Sequence, residues 1–373
     1  MPQYIWEQAN WPDLTWDSSK LLEPLAECRR EQGRLQAQLE SSGFEDDLAA
    51  QAETLEEDAI QTAAIEGEKL DREMVRSSVA THLGLEQGGL RPASRATDGL
   101  VEVLLDATRN YEQPLTLERI CSWHAALFPT GQSGLKRIVV GAWRDEHMEV
   151  VSGPINRPKV HYVAPRPDAL EHEMASFVSW WEQSRQGLDG VLRAGLAHLR
   201  FVTIHPFDDG NGRIARTLMD LALAQDERRS VRYYSLSAQI MSRRNEYYDV
   251  LEQTQKGDGD VTEWLLWFLE QVRLSVTTAG QTMARVLLKA EFWRKHAATP
   301  LTDRQRKVVN RLLDAGPEHL GGGFEGGLTN RKYSGMTKAS RATAYREITD
   351  LVEKGILSQR AKKGRSVAYD LVW

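Results

Sequence analysis

Two apolar runs with helical spacing, set either side of a polar dozen, constrain this 373-residue chain more than any other feature. Val191 to Ile204 leads in, with Leu192, Leu196, Leu199 and Val202 at helical intervals. Ile214 to Leu223 leads out, with Leu218, Leu221 and Leu223. The residues between them, His205 to Arg216, therefore sit at a helix–loop–helix junction, with Pro206 ending the first helix or starting the loop.

That junction is built to take an anion. Gly210 and Gly212 let the backbone turn tightly and come close to a ligand. The second helix begins there, so its unpaired N–H groups and the positive end of its dipole face the loop. Arg213 and Arg216 add fixed positive charge in a geometry suited to phosphate. Asp209 makes sense beside phosphates if a cation lies between them, and one carboxylate plus phosphate oxygens is how Mg2+ is usually held. His205 is the one group here that titrates near neutral pH, which makes it the candidate general base. A lone His, or a lone Gly-x-Gly, would count only as a polar loop. Nine specified positions in twelve arise by chance on the order of once in a billion in a chain of this length.

The stretch His205-Pro-Phe-Asp-Asp-Gly-Asn-Gly-Arg-Ile-Ala-Arg216 resembles the signature of the Fic family, and it fills every fixed position. The resemblance implies a mainly α fold: a helical core with a short β-hairpin flap. It also implies a protein adenylyltransferase that moves AMP from ATP to a protein hydroxyl. Carried over position by position, His205 deprotonates the attacking Ser, Thr or Tyr, and Phe207 anchors the loop. Asp209 holds Mg2+, or Mn2+, at the phosphates. Gly210, Asn211 and Gly212 cradle them, with Asn211 facing the α-phosphate. Arg213 reaches toward the β-phosphate and Arg216 toward the γ-phosphate. Thr62-Ala-Ala-Ile-Glu66-Gly67 matches the family's inhibitory pattern, in which the glutamate pairs with the second signature arginine. Thr62 and Glu66, four apart, share one helix face. The expectation is that Glu66 occupies Arg216 and holds the enzyme off.

Composition sets the remaining bounds. An apolar fraction of 41% fills real cores, and a net charge of −6 gives no global attraction to nucleic acid or membrane. Cys28 and Cys121 are too few for a disulfide framework or a cysteine metal site. No signal pattern and no apolar run of bilayer length is present, so a cytoplasmic setting is expected.

Three domains are expected: a helical segment over 1–90, a catalytic core over 91–298 and a winged helix over 299–373. Trp6, Trp11 and Trp16 suggest an aromatic clamp on the first. Helices are expected over about 18–42, ending at Gly43, and over 45–68, opening on Glu45, Asp46 and Asp47. Two more follow around a Gly88-Gly89 break, then one over 116–128 in which His124 is a packing residue. Short β-prone runs at 137–140, 148–151 and 160–163 match the position of the Fic flap, which would dock a target protein over about 135–164. By that alignment Val160, His161 and Tyr162 line the nucleotide. The run Arg244-Asn-Glu-Tyr-Tyr resembles the helix closing the adenine pocket, with Tyr247 at the base and Gln255 where relatives carry asparagine.

Beyond Thr299-Pro300 come a helix at 302–315, a Gly-rich loop at 321–327, a recognition helix from Lys338 to Glu353, and two β-prone pieces around Ala361-Lys-Lys-Gly-Arg365. Thr337, Lys338, Ser340, Arg341, Thr343 and Arg346, with Lys362, Lys363 and Arg365 at the wing tip, make DNA a candidate partner for residues 328–366. A homodimer would fit a mechanism in which assembly adjusts the inhibitory helix. The alternative readings are AMP removal from a modified target and a DNA-binding regulator that senses nucleotide. An intact His205 weighs against a purely sensory role. Gly212, where phosphate-transferring relatives carry Lys, weighs against that chemistry.

Overall fold

The computed structural model describes residues 2–42, 48–85, 91–153, 159–317, 323–360 and 367–373. It is mainly helical with short antiparallel hairpins. The expected Gly43 stop, the acidic start at Glu45 to Asp47, the Gly88-Gly89 break, the first part of the Gly-rich loop, and the tip residues Lys362, Lys363 and Arg365 lie outside the described residues.

Polar caps set most helix starts. Helix α1 (Ser18–Ser42) follows Asp17, whose carboxylate accepts from the Ser19 N–H at 3.0 Å. Next come α2 (Leu48–Ile65), α3 (Arg72–Leu83) and α4 (Arg95–Arg109), the last two capped by Asp71 and Ser94. Thr116 caps α5 (Leu117–Leu127). Two hairpins follow: β1 (Gln132–Ser133) with β2 (Lys136–Arg137), and β3 (Glu149–Ser152) with β4 (Lys159–Val163). Then come α6 (Leu170–Gln183), α7 (Gly190–Ile204), α8 (Asn211–Glu227), α9 (Leu236–Ser242), α10 (Arg244–Gln255) and α11 (Thr262–Lys295). The expected strand at 137–140 ends early. Beyond Arg137 the backbone turns to other partners: Ile138 N–H donates to Gly131 O at 3.2 Å, and Val139 N–H to the Asp208 carboxylate at 2.9 Å.

By compactness the chain forms two units, Met1–Arg34 with Gly43–Val276, and Leu35–Ser42 with Thr277–Trp373. The division expected at residue 90 falls inside the first unit, because α2 packs on α3, α8 and α9. At the centre of that unit α7 and α8 lie against each other. Every residue from Val191 to Ile204 is buried, as is every residue from Arg213 to Ala224. Helices enclosed on all sides are how a chain of this size holds a polar junction rigid. The N-terminal aromatics pack onto this unit. Trp6 donates its indole N–H to Val163 O at 2.9 Å, Trp11 donates to Glu173 at 2.9 Å, and the Tyr4 ring meets Tyr162 edge-on at 5.2 Å.

The second unit has its own apolar core, including Val308, Leu312, Leu328, Tyr333, Ile348, Leu351 and Leu371. It is built from α12 (Asp303–Ala315), α13 (Asn330–Thr337), α14 (Arg341–Glu353) and the hairpin β5 (Leu357–Gln359) with β6 (Tyr369–Leu371). The helix expected to begin at Lys338 begins at Arg341. Ser340 caps it by accepting from the Thr343 N–H, and Lys338 stands in the left-handed region at φ 57°. Thr337 belongs to the preceding helix, which Thr329 caps.

Candidate active site

His205 ends α7 with a left-handed backbone, φ 52° and ψ 58°. Pro206 accounts for the end of the helix, since a following proline disfavours the right-handed helical conformation. The His205 N–H still closes onto Phe201 O at 2.9 Å. Its Nδ1 donates to Val202 O at 3.2 Å. A carbonyl can only accept, so the proton sits on Nδ1 and the Nε2 lone pair is left available. Close packing pushes this imidazole below its ordinary pKa. The Val202 carbonyl opposes that shift, the Arg144 charge adds to it, and the Glu66 and Asp209 charges oppose it. At neutral pH the ring is a neutral base.

Arg144 is a residue that sequence reasoning missed. Its side chain is buried and spends its donors on carbonyls: His205 O at 2.8 Å, Glu146 O at 2.9 Å and Pro165 O at 2.6 Å. Its backbone N–H donates to Pro206 O at 2.9 Å. One guanidinium thereby fixes the His205 backbone to the hairpin segment. The sequence signal was faint, an arginine directly after Val139-Val-Gly-Ala-Trp143 and before Asp145-Glu-His147.

The loop closes on itself. Phe207 is fully buried and stacks on His124, with centroids 4.0 Å apart and planes 5° apart. His124 Nδ1 accepts from the Gly141 N–H at 3.0 Å, so its Nε2–H donates to Asp209 O at 3.2 Å. Burial lowers its pKa to about 4, so it stays neutral. The Asn211 amide is consumed within the loop: it accepts from the Phe207 N–H at 3.0 Å and donates to Phe207 O at 2.7 Å. Its side chain therefore staples the loop, where a contact to the α-phosphate was expected. Its backbone N–H, in the first turn of α8, is the group left to meet an anion. Gly210 has φ 81°, and a Cβ there would lie 2.8 Å from the Phe128 ring.

The Asp209 carboxylate accepts from the Gly210 N–H at 2.6 Å and from the Ser133 hydroxyl. Among the described residues no cluster of three or more His, Cys, Asp or Glu could hold a metal alone. One carboxylate at a helix N-terminus fits Mg2+, which keeps waters and takes its remaining oxygens from phosphates.

Both signature arginines are held by one segment. Arg216, fully buried, donates through Nε to Thr62 Oγ1 at 2.7 Å and through Nη2 to Thr62 O at 2.9 Å and Glu66 Oε1 at 2.8 Å. Among the described residues its Nη1 has no hydrogen-bond partner, nor has Nε of Arg213. Arg213 lies over the Phe128 ring and pairs with Glu68 at 3.1 Å. Gly212 is what makes room, because a Cβ there would stand 2.0 Å from Glu66 Oε1. Just after α2, Gly67 turns the chain at φ 83°, and Ile65 O accepts from Arg244 Nε at 2.8 Å and from the Tyr248 hydroxyl at 3.1 Å.

The expected nucleotide-lining residues have other surroundings. Tyr162 is buried and its hydroxyl donates to Thr203 O at 2.5 Å, so it is a core residue under the hairpin. His161 is engaged by Ser152 and Glu252, each at 2.6 Å, and Val160 is exposed. Tyr247 is buried among Trp264, Trp267 and Tyr248, its oxygen 2.9 Å from His198 Nε2, with no open ring face for a base. Gln255 is buried too and donates at 3.4 Å to Val202 O and Thr203 Oγ1, bracing the end of α7. Alternating or helical apolar spacing cannot distinguish such packing residues from a pocket wall.

Comparison with known proteins bears on two stretches. Residues 114–223 match the Fic/DOC family model, and residues 4–85 match a domain of unknown function, DUF4172. The chain is 36% identical over 117 residues, 30% of its length, to a uridine 5'-monophosphate transferase of Xanthomonas campestris pv. campestris. It is 36% identical over 98 residues, 26% of its length, to protein adenylyltransferase Fic of Nematostella vectensis. It spans 21% and 22% of those two proteins. The crystal structure of a Fic family protein from Desulfovibrio desulfuricans shares the fold, with a TM-score of 0.54 at 19% identity over 95% of this chain and 96% of that one.

Proposed function

Residues 114–223 of this chain being a Fic/DOC-family domain, we propose that the protein is a protein adenylyltransferase held in check by its own α2. It moves AMP from ATP to a Ser, Thr or Tyr hydroxyl of a target protein and releases pyrophosphate. The observation that carries this reading is a neutral His205 whose Nδ1 is spent on Val202 O, beside a helix N-terminus and two arginines that each keep an N–H unpartnered among the described residues. His205 takes the proton as the hydroxyl oxygen bonds to the α-phosphorus and the bond to the β-phosphate breaks. The N–H groups of Asn211 and Gly212, with Arg213, stabilise the charge that develops. Asp209 would hold Mg2+, which supplies charge neutralisation at the phosphates.

Inhibition follows from competition for the same donors. Glu66 takes a position against Arg216 that the outermost phosphate would need. Glu68 does the same at Arg213. Names among the relatives support nucleotidyl transfer, and two different nucleotides occur in them.

The test is label transfer to protein in a cell extract, with ATP labelled at the α- or the γ-phosphate and with α-labelled UTP. Transfer from α-labelled ATP alone is expected. Transfer from the γ-phosphate would make the protein a kinase, and transfer from UTP alone would assign the wrong nucleotide.

A further inference from the structure

The chain from Ser133 to Arg144 runs antiparallel to the signature loop and meets it at successive points. Arg144 N–H donates to Pro206 O at 2.9 Å, and its guanidinium donates to His205 O at 2.8 Å. Gly141 N–H donates to His124 Nδ1 at 3.0 Å, and His124 Nε2 in turn holds Asp209 O at 3.2 Å. Val139 N–H donates to the Asp208 carboxylate at 2.9 Å. At the far end the Ser133 hydroxyl donates to Asp209 Oδ2. The other contacts fix the loop's backbone and the Asp208 side chain. The Ser133 contact reaches the Asp209 carboxylate itself.

The first hairpin places that hydroxyl. Ser133 ends β1, and a two-residue turn, Gly134-Leu135, returns the chain to Lys136. Gly134 has φ 57°, as the first turn residue of such a hairpin requires. Gln132 and the residues from Gly134 to Arg137 are exposed, Leu135 entirely so. Ser133 is half-buried among them, its side chain turned in to Asp209.

This bond limits the one freedom that a fixed backbone leaves to Asp209. Rotation of an aspartate carboxyl about its last bond is broad and roughly two-fold. Gly210 N–H holds Oδ1 at 2.6 Å and the Ser133 hydroxyl holds Oδ2, so both oxygens are pinned and the plane of the carboxylate is set. An ionised carboxylate has about four acceptor positions, so lone pairs remain for a hard cation. A hydroxyl suits the task because it carries no charge. It orients Asp209 without neutralising it, as Lys or Arg in its place would do.

We propose that Ser133 is a positioning residue that sets the Asp209 carboxylate to receive the divalent cation arriving with ATP. This rests on the reading of Asp209 as the metal ligand given under the proposed function. Ser133 acts through Asp209 and touches neither the cation nor the nucleotide. Loss of such a partner of a ligating group costs roughly ten- to a hundredfold in metal affinity.

The experiment is calorimetry of ATP binding to the full chain carrying Glu66→Gly, once in EDTA and once in saturating Mg2+. The ratio of the two dissociation constants is the tightening that the cation supplies. Adding Ser133→Ala should lower that ratio at least about tenfold, while the affinity in EDTA holds. Ser133→Thr keeps the hydroxyl and should restore the ratio. A purely structural role for the hairpin would weaken ATP equally in both conditions, and an unmoved ratio would overturn the inference. So would a ratio as low in Ser133→Thr as in Ser133→Ala. Asp209→Asn separates this inference from the reading beneath it. If Asp209→Asn removes the tightening and Ser133→Ala does not, the inference fails and the metal reading stands. Tightening that survives Asp209→Asn would overturn both.

Discussion

At the scale of single residues, the site depends on how His205 is held and on which form it takes. Arg144 does the holding with a planar fork of donors that lysine cannot reproduce. Arg144→Lys should therefore lower the turnover of the activated enzyme by roughly a hundredfold, the scale of loss expected from a misplacement of about 1 Å. ATP affinity, measured by calorimetry, should change far less. On the proposed mechanism the neutral form of His205 is the active one, and its pKa lies below the ordinary histidine value. Activity should rise with pH through that lowered pKa and be flat through neutrality. The negative charge of Glu66 raises the His205 pKa. Replacing Glu66 with Gly should therefore move the acid limb of the pH–rate profile further toward acid. A limb above the ordinary histidine range would contradict the assignment of the base. His205→Ala should cost roughly a hundred- to ten-thousandfold in rate.

At the scale of elements, the segment in contact with both signature arginines is the end of α2 and the turn after it. Thr62 and Glu66 hold the buried Arg216, while Glu68 holds Arg213 from a half-exposed position. Exposed ion pairs are weak and screened by salt. Glu68→Gln should raise transfer less than Glu66→Gly does, and raising the salt concentration should erase most of the difference between Glu68→Gln and the native chain. Initial rates across a salt series check both. The Thr62-to-Gly67 pattern was legible in the sequence because four-residue spacing puts Thr62 and Glu66 on one face. Glu68 was not, because it lies beyond the helix and only the turn at Gly67 aims it. The junction at 205–216 was legible because backbone turns, charges and a base fall within twelve residues. The surroundings of Tyr247, Tyr162 and Gln255 were not legible for the opposite reason: burial and hydrogen-bond partners come from elements distant in sequence. Asn211 shows the same limit at close range, since its amide turns back on Phe207 instead of outward.

At the scale of the whole molecule, charge is unevenly shared. Residues 299–373 hold 14 Lys and Arg against 8 Asp and Glu, in a chain whose net charge is −6. Within the second unit, α14 turns Arg341, Tyr345 and Arg346 outward, with Tyr345 63% exposed. Three helices and a hairpin with such a face are what a winged helix offers to a duplex. If that unit contacts DNA, affinity for a random-sequence duplex should fall steeply with salt. Arg341→Ala and Arg346→Ala should each reduce the slope of log affinity against log salt by about 1. No binding at low salt would remove DNA from the account and leave a protein-contact role. Among the described residues no helix is long and apolar enough to cross a membrane.

Two chemistries meet in the first unit: the cradle that would position ATP for nucleotidyl transfer is the cradle that Glu66 fills. The most direct measurement is the initial rate of AMP transfer from ATP by the native chain, by Glu66→Gly, and by Glu66→Gly with His205→Ala. Removing Glu66 should give at least about a tenfold rise, about 1.4 kcal/mol of barrier, and that activity should be lost when His205 is also removed. Equal rates for the native chain and Glu66→Gly would contradict the inhibitory pairing, and activity that survives His205→Ala would contradict the base.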